Sequence, residues 1–425
     1  MRFVVQSMMD PSSLTAANYL RRAAAAAQFV IRADGVFDGR TGRTGEVFVA
    51  VQNGLIRSVG ESRPAGDVPV LDFGPDSWLL PGLIDTHVHL VFDSSADPVS
   101  ALGPLGDDEL LVRMREAAAA HLDAGVTSVR DLGDRLFLSR RLALHTRVDP
   151  GAGPHVVMAG PPITTPGGHC HFLGGAVDGI DELRAAVRER ARRGCSVVKI
   201  MVSGGNMTAG SDPATSQFTH AELVLVVEEA HRLGMSVAAD THGVQAITDA
   251  VRAGVDTLEH VTFINHDGTP PPDALLYEIA NSGVIVSATL GRCPQAWAEL
   301  PDEARKMVDQ WGVRFGELHR RGARLAVGTD AGIAPLKPHG VLPYAVVELI
   351  EESGLSPTAA LTAVTVRAAE ACGLADRKGF VAPGMDADLL VVGSDPLADP
   401  AALHDVRAVF RNGIRVRGGR PRVDV

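Results

Sequence analysis

Eight times between residues 83 and 330 a short apolar run gives way to a helical stretch, and this alternation limits the fold more than any other feature of the chain. The predicted strands are Leu83–His89, Val126–Asp131, His155–Ala159, Ser196–Val202, Ser236–His242, Thr257–Val261, Val284–Leu290 and Leu325–Asp330. Helical patterns lie between them, among them Asp107–Ala124, Asp181–Arg193, His220–Leu233, Val244–Ala253 and Asp302–Arg321. Gly125, Gly194, Gly234, Gly254, Gly283 and Gly322 each fall between a helix and the next strand, where a left-handed helix end is wanted. Eight β/α units of this kind predict an α/β fold, a TIM (β/α)8 barrel over residues 81–375, with its site at the strand C-termini. A doubly wound open sheet is the rival, but no Gly-rich phosphate loop follows the first strand.

The two flanks have a different texture. Residues 29–80 contain the strand-like runs Phe29–Arg32, Glu46–Val51, Leu55–Val59 and Val68–Phe73, with Asn53-Gly54 as a hairpin signal. The far end repeats the pattern in Ala387–Val392, Val406–Arg411 and Ile414–Val416, with Asn412-Gly413 as a second turn. We therefore expect residues 29–80 and 376–425 to form one small composite β-sandwich domain built by both termini. A length of 425 residues accommodates a barrel of about 250 residues plus such a domain.

A formal net charge of -11, with acids and bases mixed along the chain, disfavours nucleic acid and offers no basic membrane patch. The four cysteines (Cys170, Cys195, Cys293, Cys372) have no CxxC spacing, as expected for a reducing compartment. No run approaches the roughly 20 apolar residues of a membrane span. Arg21-Arg22 before an alanine run has one feature of an export signal, but Gln28 ends that run and Phe29-Val30-Ile31 begins a strand. Residues 1–28 are read as an N-terminal arm, and the chain as a cytoplasmic homo-oligomer acting on a small-molecule substrate, without nucleic acid or membrane.

The residues able to carry chemistry cluster where predicted strands end. His87 and His89 differ by two, so on a strand both point to one side and make half of a divalent metal site; the plain alternative is a pair of buried, hydrogen-bonded histidines. Lys199 sits inside the apolar run Val197–Val202, a costly place for an ammonium. Either it reaches solvent, or beside two metals its amine adds carbon dioxide to become a bridging carbamate. Strand five ends in Asp240-Thr241-His242-Gly243, strand six in Glu259-His260, and strand eight in Thr329-Asp330-Ala331-Gly332.

With Pro81-Gly82-Leu83-Ile84-Asp85-Thr86-His87-Val88-His89, Val198-Lys199-Ile200 before Ser203-Gly204-Gly205, Ala253-Gly254-Val255-Asp256 before Glu259-His260, and Pro383-Gly384-Met385-Asp386-Ala387-Asp388-Leu389 near the end, the chain resembles the amidohydrolase superfamily from about residue 29 to 416. The likeness is to its imidazolonepropionase-like and prolidase-like (Xaa-Pro dipeptidase-related) members. It implies a binuclear centre of two divalent ions, usually zinc. His87, His89 and Asp330 would hold the more buried metal, His260 would hold the second, and the Lys199 carbamate would bridge them. The fifth strand departs from the pattern, since Asp240 stands where relatives carry the ligand histidine and His242 stands two residues on. We rank His242 ahead by residue type and Asp240 by position, with manganese as the alternative metal if Asp240 is the ligand.

The resemblance implies hydrolysis of an amide-type C–N bond by water activated at the metals, with Asp330 as general base and then acid. Substrate is expected to meet His169, in Gly167-Gly168-His169-Cys170-His171, and the backbone of Gly204 and Gly205. The plain alternative for His169 is an incidental loop histidine. A dipeptidase or N-acyl-amino-acid hydrolase leads. A cyclic amidase or deaminase follows, weakened because Gln245 stands where a deaminase wants an acid. A non-catalytic barrel scaffold, suggested by Asp240 alone, comes last.

Overall fold

The computed structural model describes residues 28–419 and 421–424, so the predicted arm lies outside the described residues apart from Gln28. The chain enters through β1 (Gln28–Phe37), β2 (Gly42–Gln52), β3 (Leu55–Gly60), β4 (Val70–Asp72) and β5 (Trp78–Pro81). Eight strands of the α/β region follow: β6 (Leu83–Val88), β7 (Val126–Asp131), β8 (His155–Met158), β9 (Val197–Met201), β10 (Ser236–Gly243), β11 (Thr257–Ile264), β12 (Ile285–Thr289) and β13 (Arg324–Gly328). The chain leaves through β14 (Leu389–Val392), β15 (Val406–Arg411), β16 (Ile414–Gly418) and β17 (Arg422–Asp424). All eight middle strands fall where the alternation places them, to within three residues at either end. The six helix-terminal glycines all have positive φ.

The two ends of the chain share one nine-stranded sheet, ordered β16-β15-β14-β5-β1-β2-β3, with β4 pairing both β1 and β17. Asn53-Gly54 turns β2 into β3 and Asn412-Gly413 turns β15 into β16, all four residues at positive φ as this tight hairpin turn requires. Phe29, Ile31, Val49, Leu389 and Phe410 fill one face of the sheet, with Phe29 stacked on Phe410.

The middle strands run parallel in two sheets, β6-β7-β8 and β13-β12-β11-β10-β9, and form a TIM-barrel-like α/β array rather than one continuous ladder. Short backbone bridges span both seams. Ile163 N–H donates to Lys199 O and Met201 N–H to Ile163 O, each at 2.8 Å, which links the segment after β8 to β9. Asp330 N–H donates to His87 O at 2.7 Å and His89 N–H to Ala331 O at 3.0 Å, which links β6 to the segment after β13. Buried Asp85 reinforces this second seam by accepting from Thr329 N–H at 2.9 Å and Thr329 Oγ1–H at 2.6 Å. Burial pushes its carboxyl up to about 7 despite those bonds. Gly328 is required here, because a Cβ would stand 2.3 Å from His87 Cβ. Among the described residues no helix is long and apolar enough to cross a membrane.

One titration should register in stability. Burial, then Lys378 and Arg411, pull the partly buried His155 at the start of β8 down to about 4. The unfolded chain takes that proton near pH 6.5, whereas the folded chain refuses it until about 4. This contribution is therefore complete above pH 6.5 and is lost as pH falls toward 4, by at most about 3 kcal/mol. Urea unfolding at pH 7 and pH 4.5 should show that loss in the native chain and a smaller one in His155→Gln.

Candidate metal centre

His87 and His89 keep the strand parity read from their spacing, with their Nε2 atoms facing each other at 3.3 Å. The carbonyl of Gly133 accepts from Nδ1–H of His89 at 3.1 Å, so Nε2 of the neutral ring carries a lone pair. Nδ1 of His87 lies 3.1 Å from Oε2 of Glu259, an oblique approach that nevertheless places its proton on that side. Burial first, and then the Lys199 ammonium, draw His87 down to about 4, so its Nε2 is also a lone pair at neutral pH. Asp330 brings Oδ1 to 3.3 Å from His89 Nε2 and 3.6 Å from His87 Nε2. Burial opposes its charge, yet the three imidazoles of His87, His89 and His260 hold its carboxyl well below the usual range. Three potential ligand atoms thus converge, a set that fits a divalent cation.

A second group shares His87 and adds Asp240 and His260. His260 Nε2 stands 3.1 Å from Asp240 Oδ1, and its Nδ1 stands 3.1 Å from Thr289 Oγ1. Asp240 Oδ2 is buried without a hydrogen-bond partner. Lys199 is fully buried and turns inward, its Nζ 2.6 Å from Asp240 Oδ1 and 3.4 Å from His87 Nε2. Reaching solvent is ruled out. Against the burial penalty, this ammonium and then His260 keep the Asp240 carboxyl well below its usual range.

The two fifth-strand candidates separate here. Asp240 points into the ligand group, whereas His242 stacks on His260 at 4.4 Å and places Nδ1 3.0 Å from Thr262 Oγ1, with Nε2 3.7 Å from Asp240 Oδ2. Asp240, the candidate by position, thus falls within the group that could hold a metal, and His242, ranked ahead by residue type, stands beside it.

Of the substrate contacts expected, His169 is buried near the cluster, its backbone N–H held by Gln217 Oε1 at 2.8 Å and its Nδ1 without a partner. Gly205 makes room for it, since a Cβ there would lie 2.4 Å from His169 Nε2. The Gly204 and Gly205 backbone is the other expected substrate contact. Gly204 N–H donates to Thr215 O at 3.1 Å and Gly205 N–H to Ser211 Oγ at 3.2 Å, so both amides are already engaged and the glycines supply space.

Sequence reading assigned no role to Glu259 and Arg130. Both are fully buried, and Arg130 Nη2 pairs with Glu259 Oε1 at 2.7 Å while Nε donates to Thr86 O at 2.6 Å. The available signal was a charged residue inside each apolar strand. His260 and Asp330 adopt left-handed backbone, φ 67° and 59°, a conformation costing roughly 1–3 kcal/mol each away from glycine.

The sequence matches the family described as "Amidohydrolase family" over residues 78–416. Ochratoxinase of Aspergillus niger is 29% identical over 367 residues, covering 78% of this chain and 73% of the fungal protein. Adenine deaminase of Moorella thermoacetica is 27% identical over 394 residues, covering 90% of this chain and 56% of that protein. A solved Xaa-Pro dipeptidase with methionine bound in its active site superposes with TM-score 0.78 at 25% identity, covering 92% of this chain and 100% of that one.

Proposed function

The chain belongs to the amidohydrolase family of carbon–nitrogen hydrolases, and from that premise we propose that it cleaves the amide-type bond of a dipeptide or N-acyl amino acid. The observation that carries this reading is the convergence of His87 Nε2, His89 Nε2 and Asp330 Oδ1, separated by 3.3 to 3.6 Å, at the strand ends of the array. Similarity to a Xaa-Pro dipeptidase and to ochratoxinase supports the amide class. We take the site to lie in a closed (β/α)8 barrel of residues 81–375, with residues 29–80 and 376–425 forming the β-sandwich beside it.

In this reading His87, His89 and Asp330 would hold one divalent ion, Asp240 and His260 would hold a second, and Lys199 as its carbamate would supply a ligand shared by both. Zinc suits the imidazoles, and the extra carboxylate of Asp240 moves the site toward manganese. Such ions, when bound, make water acidic enough to attack at neutral pH and polarise the scissile carbonyl. Asp330 takes the proton of the attacking water and returns it to the leaving nitrogen. His169, opposite the cluster, binds the substrate carbonyl or carboxylate. The Lys199 carbamate needs both cations in place, because Asp240 Oδ1 lies only 2.6 Å from Nζ and would repel a second anion. The adenine deaminase likeness favours a deaminase as the second reading, but Gln245 donates to Asp249 on the exposed helix face and cannot shuttle a proton.

The test pairs metal analysis with a substrate panel of Xaa-Pro dipeptides, N-acyl amino acids and cyclic ureides, assayed with zinc and with manganese. About two ions per chain and turnover of the first two classes are expected. A chain that takes up no divalent ion and turns over none of them sinks the reading. Lys199→Ala should lose metal and activity and regain part of each with a short carboxylic acid added. Unchanged metal content would contradict the bridge. Asp240→Ala should release one ion, whereas His242→Ala should keep both; the opposite result would return the ligand role to His242.

A further inference from the structure

His155 opens β8 at the end of the strand array opposite the ligand cluster, and there a cavity of about 720 Å³ lies against the nine-stranded sheet. Its wall carries Arg147, Arg377, Lys378 and Arg411, with Asp386 as the lining carboxylate. Arg377 Nη2 pairs with Asp386 Oδ2 at 2.8 Å, and Lys378 pairs with Asp386 at 3.1 Å and with Asp388 behind it. Arg147 left aside, these two carboxylates are in contact with Arg377 and Lys378, while Arg411, the most buried of the three cations, feels Asp388, Asp149 and Asp386 only from beyond contact distance.

Arg411 is 2% exposed and, among the described residues, has no carboxylate within ion-pair distance. Its Nη1 donates to the carbonyls of Thr146 at 3.0 Å, Pro150 at 3.5 Å and Gly153, which anchors the guanidinium to the turn before β8. Its Nε is buried without any partner, and so is Nδ1 of His155 on the same wall. A buried guanidinium without a contact ion pair is costly, and its unmet Nε donor adds to that cost. Carbonyl anchoring accounts for one end of the guanidinium and leaves the rest unexplained.

We propose that this cavity is a second, non-catalytic binding site for a small metabolite bearing an oxyanion, a phosphate monoester or a carboxylate, which caps Arg411 and is flanked by Lys378 and Arg377. The planar fork of arginine matches either group in a two-bond geometry. The volume exceeds that of a bare ion and falls in the range of small-molecule pockets. Among the described residues no Phe, Tyr or Trp lines the wall and His155 is its one aromatic ring, so a polar ligand body suits it better than a stacked base.

The experiment is calorimetric titration of the metal-loaded full chain with glycerol 3-phosphate, inorganic phosphate and succinate, with metal content followed throughout. One site per chain is expected for at least one probe. A phosphate preference identifies the ester class, and a succinate preference identifies the carboxylate class. Arg377→Ser, at an exposed position, should weaken that binding about tenfold while leaving metal content and hydrolysis unchanged. Arg411→Met should abolish binding, and if that variant does not fold, Arg377→Ser combined with His155→Gln carries the same test. Absence of binding for all three probes at about 10 mM would overturn the proposal. So would binding that persists unchanged in Arg377→Ser and disappears on metal removal, since the anion would then be sitting on the catalytic ions.

Discussion

Replacing His87 by alanine should leave the protein with neither ion and with no measurable hydrolysis. His87 belongs to both ligand groups, through His89 and Asp330 on one side and Asp240 and His260 on the other. Its imidazole, fully buried and neutral, brings the same Nε2 within 3.3 Å of His89 Nε2 and 3.4 Å of Lys199 Nζ. Loss of general acid/base help alone costs about 100- to 10,000-fold in rate. On the proposed reading His87→Ala also strips the ions that make such help useful, so its loss should exceed the roughly 10,000-fold upper figure. Elemental analysis of the dialysed variant and its kcat/KM on the best substrate of the panel check this. His89→Ala and His260→Ala, each in one group, should keep part of the metal. If His87→Ala binds as much metal as the native chain, the shared-ligand geometry is wrong.

Arg130→Met should produce the largest loss of stability. Arg130 and Glu259 are both fully buried, paired at 2.7 Å, with the guanidinium also held by Thr86 O, Thr257 Oγ1 at 3.1 Å and Ala371 O at 3.0 Å. Burial opposes the charge of Glu259, and the Arg130 cation, followed by His87, outweighs it and holds this carboxyl far below its usual range. Without Arg130 that charge is stranded, and breaking such a pair costs about 3–5 kcal/mol. The double variant Arg130→Met, Glu259→Leu removes both charges and should recover most of that loss. It should not recover the metal site, because Glu259 orients His87, and losing an orienting partner of this kind lowers metal affinity about 10- to 100-fold. Urea unfolding of the metal-free chains and competition against a chelator separate the two effects. Equal stability of the single and double variants would show that the pair carries no buried charge.

The strand ends at His87, His89, Lys199 and Asp240 were legible because a strand alternates its faces every two residues and a parallel array stacks like ends together. Parity misleads on β11. Glu259 and His260 are neighbours and should face opposite sides, yet both approach His87, because positive φ at His260 and Val261 breaks the pleat. Nothing local in Leu258-Glu259-His260-Val261 announces that break. It persists because Thr289 and Asp240 hold the imidazole from two neighbouring strands.

Periodicity, glycine punctuation and a lysine stranded in an apolar run were enough to fix the α/β array and to mark His87, His89, Lys199, Asp240, His260 and Asp330 as candidates, since each depends on local geometry or on the cost of burying charge. Three questions waited for the folded chain: how Asp240 and His242 stand about His260, what faces Nδ1 of His87, and what anchors Arg411. Each is decided by side chains tens to hundreds of residues apart, such as Arg130 with Glu259 and Arg411 with Gly153, and contacts of that range leave no periodic trace in the sequence.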